Sequence, residues 1–167
     1  MKIVKNSYKS ILIIAAAAIA AFAVNHFLVS AVRIVGNSMQ PVLNKNDWVL
    51  VSRLPFEPEY GDIVIFQKPD VTDEAIVKRI IGVPEDTVEI RKGIIYINGN
   101  IADDSFSLLL EDDNMEKITV DEDCYFVLGD NRAESNDSRK WANPLVHREE
   151  IKGKAIVRFF PGIRRLT

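Results

Sequence analysis

Ser38 occupies a polar turn, Gly36-Asn37-Ser38, that separates an apolar N-terminal segment from the apolar run around Trp48. A serine hydroxyl becomes a nucleophile when a neighbouring base removes its proton. An ordinary linker turn, in which the hydroxyl bonds to nearby backbone, accounts for the same residues. Whether this serine does chemistry therefore depends on a base elsewhere in the chain.

The best candidate for that base is a lysine. His26 lies within the apolar N-terminal segment, and His147 lies in the charged run 147–150. Lysine acts as a base when burial makes its charged form costly, so that the amine is neutral near the working pH. Lys78 meets this requirement because it lies within the largely apolar run 75–81.

Strand alternation divides the run around Lys78 into two faces. Lys78 shares one face with Ile76 and Ile80, whereas Arg79 shares the other with Val77. The pattern does not say which face is the core. Arg79 is excluded as a base, since a guanidinium stays protonated. The alternative role for Lys78 is an edge-strand charge that discourages aggregation.

A third segment, residues 129–139, follows an apolar strand and consists of polar or small residues. Ser135 is a candidate to orient an amine, and Asp137 and Arg139 are candidates for an ion pair that holds the loop. A surface turn is a sufficient alternative explanation of this composition.

The elements that must position these residues begin with an apolar segment. Residues 11–24 contain no polar side chain, and the apolar character continues to Val32 with three polar interruptions. At about 1.5 Å per residue, a helix over residues 11–32 crosses a hydrocarbon core of about 30 Å. The sequence therefore predicts one transmembrane anchor.

The charges around this segment predict its orientation. Three lysines and no acid precede it, which favours a cytoplasmic N-terminus (residues 1–10) and an extracytoplasmic domain (residues 33–167). A cleavable signal peptide is the alternative, because Ala21-Phe22-Ala23 has the form of a cleavage site. The anchor is favoured, since apolar residues resume at 27–29, where a mature N-terminus usually turns polar.

The composition of the 167-residue chain limits its partners. Residues 33–167 keep 18 of the 21 basic residues and all 24 acidic ones, so their net charge is about −6, which opposes binding to nucleic acid. Cys124 is the only cysteine, so no intramolecular disulfide is possible. Neither zinc-ligand spacing nor a phosphate-binding loop occurs, and we expect no metal or other cofactor.

Short runs rich in β-branched and aromatic residues, separated by Gly, Pro, Asn and Asp, predict a mainly β domain. The predicted strands cover residues 48–51, 63–66, 75–81, 87–91, 94–97, 124–128 and 155–159. Asn98-Gly99 predicts a tight hairpin turn. Within this domain a helix is expected only around residues 144–151, with Asn143 as its cap. Residues 103–123, with nine acids and one lysine, are expected to form a solvated excursion.

In their order along the chain these segments resemble the bacterial type I signal peptidases. The matching strings are Gly36-Asn37-Ser38-Met39-Gln40-Pro41, Gly61-Asp62-Ile63-Val64, Val77-Lys78-Arg79-Ile80-Ile81-Gly82, Gly129-Asp130-Asn131-Arg132 with Ser135 and Asp137-Ser138-Arg139, and Gly153-Lys154-Ala155. Each string alone is weak, but their joint presence is specific. The resemblance covers nearly the whole chain, and its short acidic excursion is typical of the compact Gram-positive members.

The resemblance implies a Ser-Lys peptidase-type β-fold preceded by one transmembrane helix. Its implied site consists of the nucleophile Ser38, the general base Lys78, the supporting residues Ser135, Asp137 and Arg139, and the substrate-binding residues Met39 and Pro41. Some members carry a serine two positions before the nucleophile, where its hydroxyl helps to hold the oxyanion. Here that position is Gly36, which leaves the role mainly to the Ser38 backbone N–H.

The implied activity is that of a membrane-anchored serine endopeptidase of the bacterial cell membrane, which removes signal peptides from exported preproteins. Its substrates carry small residues at positions −1 and −3 and bind as an extended strand. Ser38 follows the predicted anchor by about six residues, close to the outer bilayer surface where such cleavage sites emerge. Residues 159–163 either dip into the bilayer or pack at a strand end.

Two other functions stay open at this point. A self-cleaving Ser-Lys peptidase of the repressor type shares the Ser-Met turn, but this chain leaves no room for a DNA-binding module. A membrane-tethered, non-enzymatic β-domain accounts for the anchor and the strands. It does not account for the joint occurrence of Ser38, Lys78 and the loop over residues 130–139.

Overall fold

Strands are the main regular elements of the computed structural model, which describes residues 9–17, 28–107 and 113–166. The strands are β1 (Val29–Arg33), β2 (Trp48–Ser52), β3 (Ile63–Lys68), β4 (Thr72–Gly82), β5 (Thr87–Arg91), β6 (Ile94–Ile97), β7 (Asn100–Ile101), β8 (Met115–Thr119), β9 (Cys124–Leu128), β10 (Leu145–His147), β11 (Ile151–Phe160) and β12 (Arg164–Arg165). A 3-10 helix spans Arg148–Glu150, and residues 9–17 are helical. Each predicted strand lies within an observed one, so the mainly β prediction is confirmed.

The strands form two antiparallel sheets. The larger follows the order β1-β2-β11-β3-β4-β9-β10, with β12 paired to β11, and the smaller follows the order β7-β6-β5-β8. One edge of β4 pairs with β3 from Thr72 to Arg79, whereas β9 reaches the other edge only between Arg79 and Gly82. Within the described ranges, the second edge of β4 is therefore open over residues 72–78, and β1 pairs only with β2.

Both faces of the larger sheet are buried around β4. Ile76 and Ile80 pack with Phe66 in one apolar cluster, whereas Val77 packs with Met39 in another. The predicted placement of Ile76 and Ile80 on one face and of Val77 on the other is thus confirmed. Because each face meets a core, polarity alternation could not identify a single buried face from the sequence.

The Asn98-Gly99 turn is present as predicted. It joins β6 to β7, with Ile97 opposite Asn100. Asn98 and Gly99 have φ angles of 52° and 80°, left-handed values that these two residue types adopt at low cost. The Asn98 side-chain oxygen also accepts a 2.8 Å hydrogen bond from the backbone N–H of Thr87, which ties the turn to the start of β5.

The helix predicted around residues 144–151 is wrong. Residues 145–147 form β10 and pair with β9, and only the single 3-10 turn Arg148–Glu150 follows. Val146 is fully buried in that pairing, so burial against β9 outweighs local helix preference. Asn143 instead accepts a 3.3 Å hydrogen bond from the backbone N–H of Leu145, two residues on.

The acidic stretch 103–123 is only partly a solvated excursion. Its residues 115–119 form β8, which pairs with β5 in the smaller sheet. Asp104 binds Arg132 at 2.5 Å, and Asp113 binds Arg139. These carboxylates are therefore partners of the 129–139 loop, a role that composition alone could not reveal. Residues 108–112 lie outside the described residues.

The predicted anchor over residues 11–32 needs correction at its C-terminal end. Residues 29–32 belong to β1, where Val29 pairs with Ser52 and Val32 with Val49. This pairing extends the larger sheet, which outweighs the apolar helix pattern at these positions. Among the described residues, no helix has the length and apolar character to cross a membrane. Residues 1–8 and 18–27, including Ala21-Phe22-Ala23, lie outside the described residues.

Candidate active site

The turn that carries Ser38 is held by the core. Met39 is 1% exposed and packs with Ile34 and Ile65. Its carbonyl accepts a 2.8 Å hydrogen bond from the backbone N–H of Leu43, which is fully buried. Because its neighbour is fixed in this way, Ser38 has a defined position at the surface of the core.

Lys78 reaches Ser38 from β4. Its Nζ donates a hydrogen bond of 2.8 Å to Ser38 Oγ. On the strand, Lys78 lies opposite Val64 of β3, one residue before β9 begins to pair with β4 at Arg79. The lysine side chain therefore starts at the point where the second edge of β4 becomes open.

Burial sets the protonation of this lysine. Lys78 is only 4% exposed. Loss of hydration lowers the pKa of Lys78 from its ordinary 10.5 to about 8, against the opposing attraction of the Asp137 and Asp130 carboxylates. The nearby Arg139 charge lowers the same pKa further. An amine with this pKa is partly neutral close to pH 7 and can accept a proton.

Asp137 and Arg139 form the ion pair that the sequence predicted. Arg139 Nε lies 2.8 Å from Asp137 Oδ1, and Arg139 also donates to the carbonyl of Arg132 at 2.7 Å. Asp137 Oδ2 accepts a 3.0 Å hydrogen bond from the backbone N–H of Gly129. Burial alone would raise the pKa of Asp137, but the hydrogen bonds and charge of Arg139 outweigh it and hold that pKa below its ordinary value.

The loop over residues 129–139 also forms hydrogen bonds directly with the serine turn. The backbone N–H of Asn131 donates to the Ser38 carbonyl at 3.0 Å, and its side-chain amide donates to the Asn37 carbonyl at 3.3 Å. A Cβ placed on Gly129 would lie 2.5 Å from the Ser38 carbonyl oxygen. Only glycine allows the loop to approach the turn this closely.

A buried ion pair anchors the start of the same loop. Arg79 Nε and Nη2 bind the two Asp130 carboxylate oxygens at 2.8 and 2.7 Å. Arg79 also donates to the Gly61 carbonyl at 2.7 Å, and its guanidinium lies 4.1 Å from the centre of the Phe106 ring. Since Arg79 follows Lys78 on β4, this pair fixes the loop to the strand that carries the lysine.

Ser135 lies inside the same loop and is 1% exposed. Its Oγ would lie 2.3 Å from a Cβ placed on Gly129. The hydroxyl contributes to lowering the pKa of Asp137, yet no described residue offers its oxygen a hydrogen-bond partner of good geometry. The hydroxyl therefore lies buried beside Gly129, which closely approaches the Ser38 carbonyl, and interacts with Asp137, whose charge acts on Lys78.

A groove of about 280 Å³ leads away from the Ser38–Lys78 contact. One wall is the chain from Val32 to Met39, and the other is β4 from Thr72 to Lys78, with Ile65 between them. The groove therefore lies along the open edge of β4 described above. An extended peptide can add to such an edge through main-chain hydrogen bonds.

The structure thus brings together most of the residues singled out from the sequence. Met39 and Gly36 line the groove, and no heavy atom lies within 4 Å of a Cβ placed on Gly36. Pro41 is exposed and does not line the groove. Sequence reasoning missed the roles of Asn131 and of the Arg79–Asp130 pair. Both lie within the matching strings, which was the available signal.

The part of the chain that the structure describes contains no cluster of metal-ligating side chains. Within residues 9–17, 28–107 and 113–166, no three His, Cys, Asp or Glu side chains are grouped as a metal site requires. His147 Nδ1 lies 3.3 Å from Cys124 Sγ, on β10 and β9 respectively. Ser38 is contacted by the Lys78 amine at its hydroxyl and by the Asn131 backbone N–H at its carbonyl.

The chain is similar to known peptidases over most of its length. A profile of the family described as "Signal peptidase, peptidase S26" matches residues 7–160. "Probable signal peptidase I-2" of Synechocystis is 36% identical over 153 residues, covering 87% of this chain and 69% of the relative. "Signal peptidase IB" of Staphylococcus aureus is 33% identical over 178 residues, covering 94% and 91%. A signal peptidase I crystal structure from Enterococcus faecalis covers 59% of this chain and 97% of its own, at 32% identity and a TM-score of 0.48.

Proposed function

The chain belongs to the signal peptidase family, peptidase S26, and we propose that it removes signal peptides from exported preproteins with a Ser38–Lys78 dyad. Membership of the family makes it an endopeptidase of the signal peptidase I type. This favours the peptidase over the repressor-type and non-enzymatic alternatives. The dyad itself is supported by one observation above all, the 2.8 Å contact between Ser38 Oγ and a buried lysine amine.

Acyl transfer follows from this geometry in two steps. Neutral Lys78 accepts the Ser38 proton while Oγ attacks the scissile carbonyl, which becomes a tetrahedral oxyanion. As the peptide C–N bond breaks, the Lys78 ammonium returns a proton to the leaving nitrogen. Water, deprotonated by the same amine, then attacks the acyl ester and releases Ser38 with its proton restored. The new carboxyl end of the signal peptide leaves as product.

The oxyanion is held mainly by backbone in this proposal. The backbone N–H of Ser38 is the donor that we assign to this role, and Gly36 contributes no side-chain donor. Ser135 and the Asp137–Arg139 pair act on the amine instead. The carboxylate of Asp137 attracts the charged form of Lys78, and Arg139 limits that attraction. These opposing charges help to set the pKa of Lys78 at about 8, so that both its charged and its neutral forms are populated near that pH.

The substrate binds in the groove along β4. Its chain adds to the open edge over residues 72–78 as an extended strand, which places the scissile carbonyl at Ser38. Near the serine the walls are made of apolar side chains, including Met39 and Val77. Such walls suit the small residues that we propose at positions −1 and −3, often alanine.

The domain works at a bacterial cell membrane in this proposal. The N-terminus is cytoplasmic, residues 11–28 provide the single-pass anchor, and the catalytic domain is extracytoplasmic. An apolar rim supports contact with the bilayer, because Phe160 is 57% and Ile163 86% exposed. Phe159 lies 6.4 Å from the Trp48 ring and extends the same rim. Large apolar side chains exposed together mark contact surfaces.

Cleavage of a preprotein by the purified full-length protein tests the dyad. We expect Ser38→Ala and Lys78→Ala to abolish cleavage while leaving the domain folded by circular dichroism. Lys78→Arg should be equally inactive, because a guanidinium cannot become a neutral base. The matched controls Ser105→Ala and Lys117→Ala change exposed residues and should cleave normally. Activity in folded Lys78→Arg protein would mean that Lys78 supplies charge and not proton transfer.

A further inference from the structure

The end of the groove far from Ser38 carries charged side chains. Thr72 and Glu74 line it on the β4 wall, and Val32 and Arg33 line it on the opposite wall. The apolar side chains of the groove lie closer to the serine. Apart from Lys78 of the dyad, a substrate strand that fills the whole groove therefore meets charged side chains only at this far end.

The Glu74 carboxylate is available to a substrate. Its residue is exposed, and within the described part of the chain that carboxylate forms neither an ion pair nor a hydrogen bond. Its backbone N–H donates to Thr72 Oγ1 at 3.2 Å, which fixes the local backbone. Arg33 differs, because its guanidinium donates to Asn46 Oδ1 at 2.7 Å, and Asn46 is not part of the groove.

The distance along β4 between Glu74 and Lys78 indicates which substrate residue lies beside Glu74. The pairing of β3 with β4 is regular from Lys78 to Ala75, and its register shifts between Ala75 and Thr72, where Glu74 lies one residue beyond the regular stretch. At about 3.3 Å per residue, Glu74 lies about 13 Å along the strand from Lys78. In the orientation that we assign, a substrate strand runs parallel to β4 along this edge and advances by the same amount. Its residue beside Glu74 is four positions before the cleaved residue, which is position −5.

We propose that Glu74 is a specificity-determining residue that selects preproteins with a lysine or arginine at position −5, just before the small residues next to the cut. This inference rests on the proposed function, because it places the scissile bond at Ser38. Between Glu74 and the Ser38 contact the groove offers no other acidic side chain. A cation at −5 therefore meets one carboxylate, whereas an anion at −5 meets repulsion.

The expected size of the preference for a cation at position −5 follows from the solvent exposure of Glu74, the carboxylate that would pair with it. Exposed ion pairs change free energies by small amounts, which correspond to about a two- to fivefold preference. Salt screens such a pair, since the Debye length falls from about 10 Å at 0.1 M to about 3 Å at 1 M. The preference should therefore be strongest at low ionic strength and nearly absent at 1 M salt.

Matched peptides test the proposal. Three peptides with the same cleavage site carry Lys, Gln or Glu at −5, and kcat/KM is measured for each with the full-length protein. We expect the wild type to prefer Lys over Glu by about two- to fivefold, Glu74→Gln to remove the preference, and Glu74→Lys to reverse it. The ratio between peptides is the readout, so a change in overall activity cancels.

Two control variants separate Glu74 from its surroundings. Asp73→Asn removes the adjacent exposed acid, which does not line the groove, and should keep the wild-type ratio. Arg33→Gln should alter the ratio less than either Glu74 variant does. A ratio at position −5 that Glu74→Lys leaves unchanged would overturn the proposal. If the Gln peptide is not cut by the wild type, or is cut by Ser38→Ala, the proposed function fails instead.

Discussion

Lys78 Nζ lies 2.8 Å from Ser38 Oγ, although 40 positions separate the two residues in the chain. Two kinds of support create this contact. The pairing of β3 with β4 places the lysine, and buried Met39 places the serine turn. Asn131 links the two parts, because it binds the Ser38 carbonyl from the loop that Arg79 anchors to β4 through Asp130. The reactive pair is therefore positioned by the sheet and by the loop that contacts the serine turn.

The pH dependence of cleavage should report the Lys78 amine. Burial lowers its pKa to about 8, so the neutral base predominates only above that pH. We expect kcat/KM for a neutral peptide to rise tenfold per pH unit below about pH 8 and to level off above it. A rate profile that is flat between pH 6 and pH 9 would contradict the assignment of Lys78 as the base.

Replacing Lys78 with methionine should stabilise the domain while abolishing cleavage. Below about pH 8 the folded protein carries a buried ammonium, and the difference between about 8 and 10.5 corresponds to a cost of about 3 kcal/mol. This cost is present in full below the folded pKa of about 8 and disappears as the pH rises toward 10.5, where the unfolded chain also loses its proton.

Urea unfolding of Lys78→Met and wild type at pH 6 and pH 10 measures this linkage. The variant should gain about 1 to 3 kcal/mol at pH 6 and much less at pH 10. Exposed Lys117→Met serves as the control and should show no such pH-dependent difference. A Lys78→Met protein that is less stable than wild type at pH 6 would indicate that the lysine is not desolvated.

Gly129→Ala should impair catalysis from outside the dyad. A Cβ at this position would meet Ser135 Oγ at 2.3 Å and the Ser38 carbonyl oxygen at 2.5 Å, so the loop or the serine turn must shift. A shift of about 1 Å in a catalytic group costs about 100-fold in rate. We expect that loss in kcat, together with about 1–3 kcal/mol of stability. Gly162→Ala, with no atom within 4 Å of its Cβ, should behave as wild type in both measurements.

Asp130→Asn should destabilise the domain through Arg79. Both side chains are almost fully buried, and removal of one charge leaves the other without a counterion. We expect a loss of about 3 kcal/mol in urea unfolding, with cleavage reduced in the folded fraction. The exposed pair Glu89–Arg91 provides the comparison, and Glu89→Gln should leave the unfolding midpoint unchanged. Equal effects of the two substitutions would mean that burial of the Arg79–Asp130 pair does not matter.

The local sequence predicted the strands and the tight turn whose conformations depend on the preferences of their own residues. The runs that became β2, β3 and β9 are rich in β-branched and aromatic residues, and Asn98-Gly99 suits the left-handed angles of its turn. β10 was predicted as a helix because Asn143 and Pro144 resemble a helix start. Its strand conformation comes from pairing with β9, which no local pattern around residue 145 encodes.

The sequence by itself determined the residue types of the site: one serine in a polar turn, one lysine in an apolar run and a polar loop after a buried strand. Tertiary structure decided that Lys78 contacts Ser38, because both faces of β4 are buried and strand alternation could not show which face meets the serine turn. It also decided that Asp104 and Asp113, from an apparently solvated stretch, bind Arg132 and Arg139. Desolvation and ion pairing depend on groups far apart in the chain, so they arise only when the sheet brings those groups together.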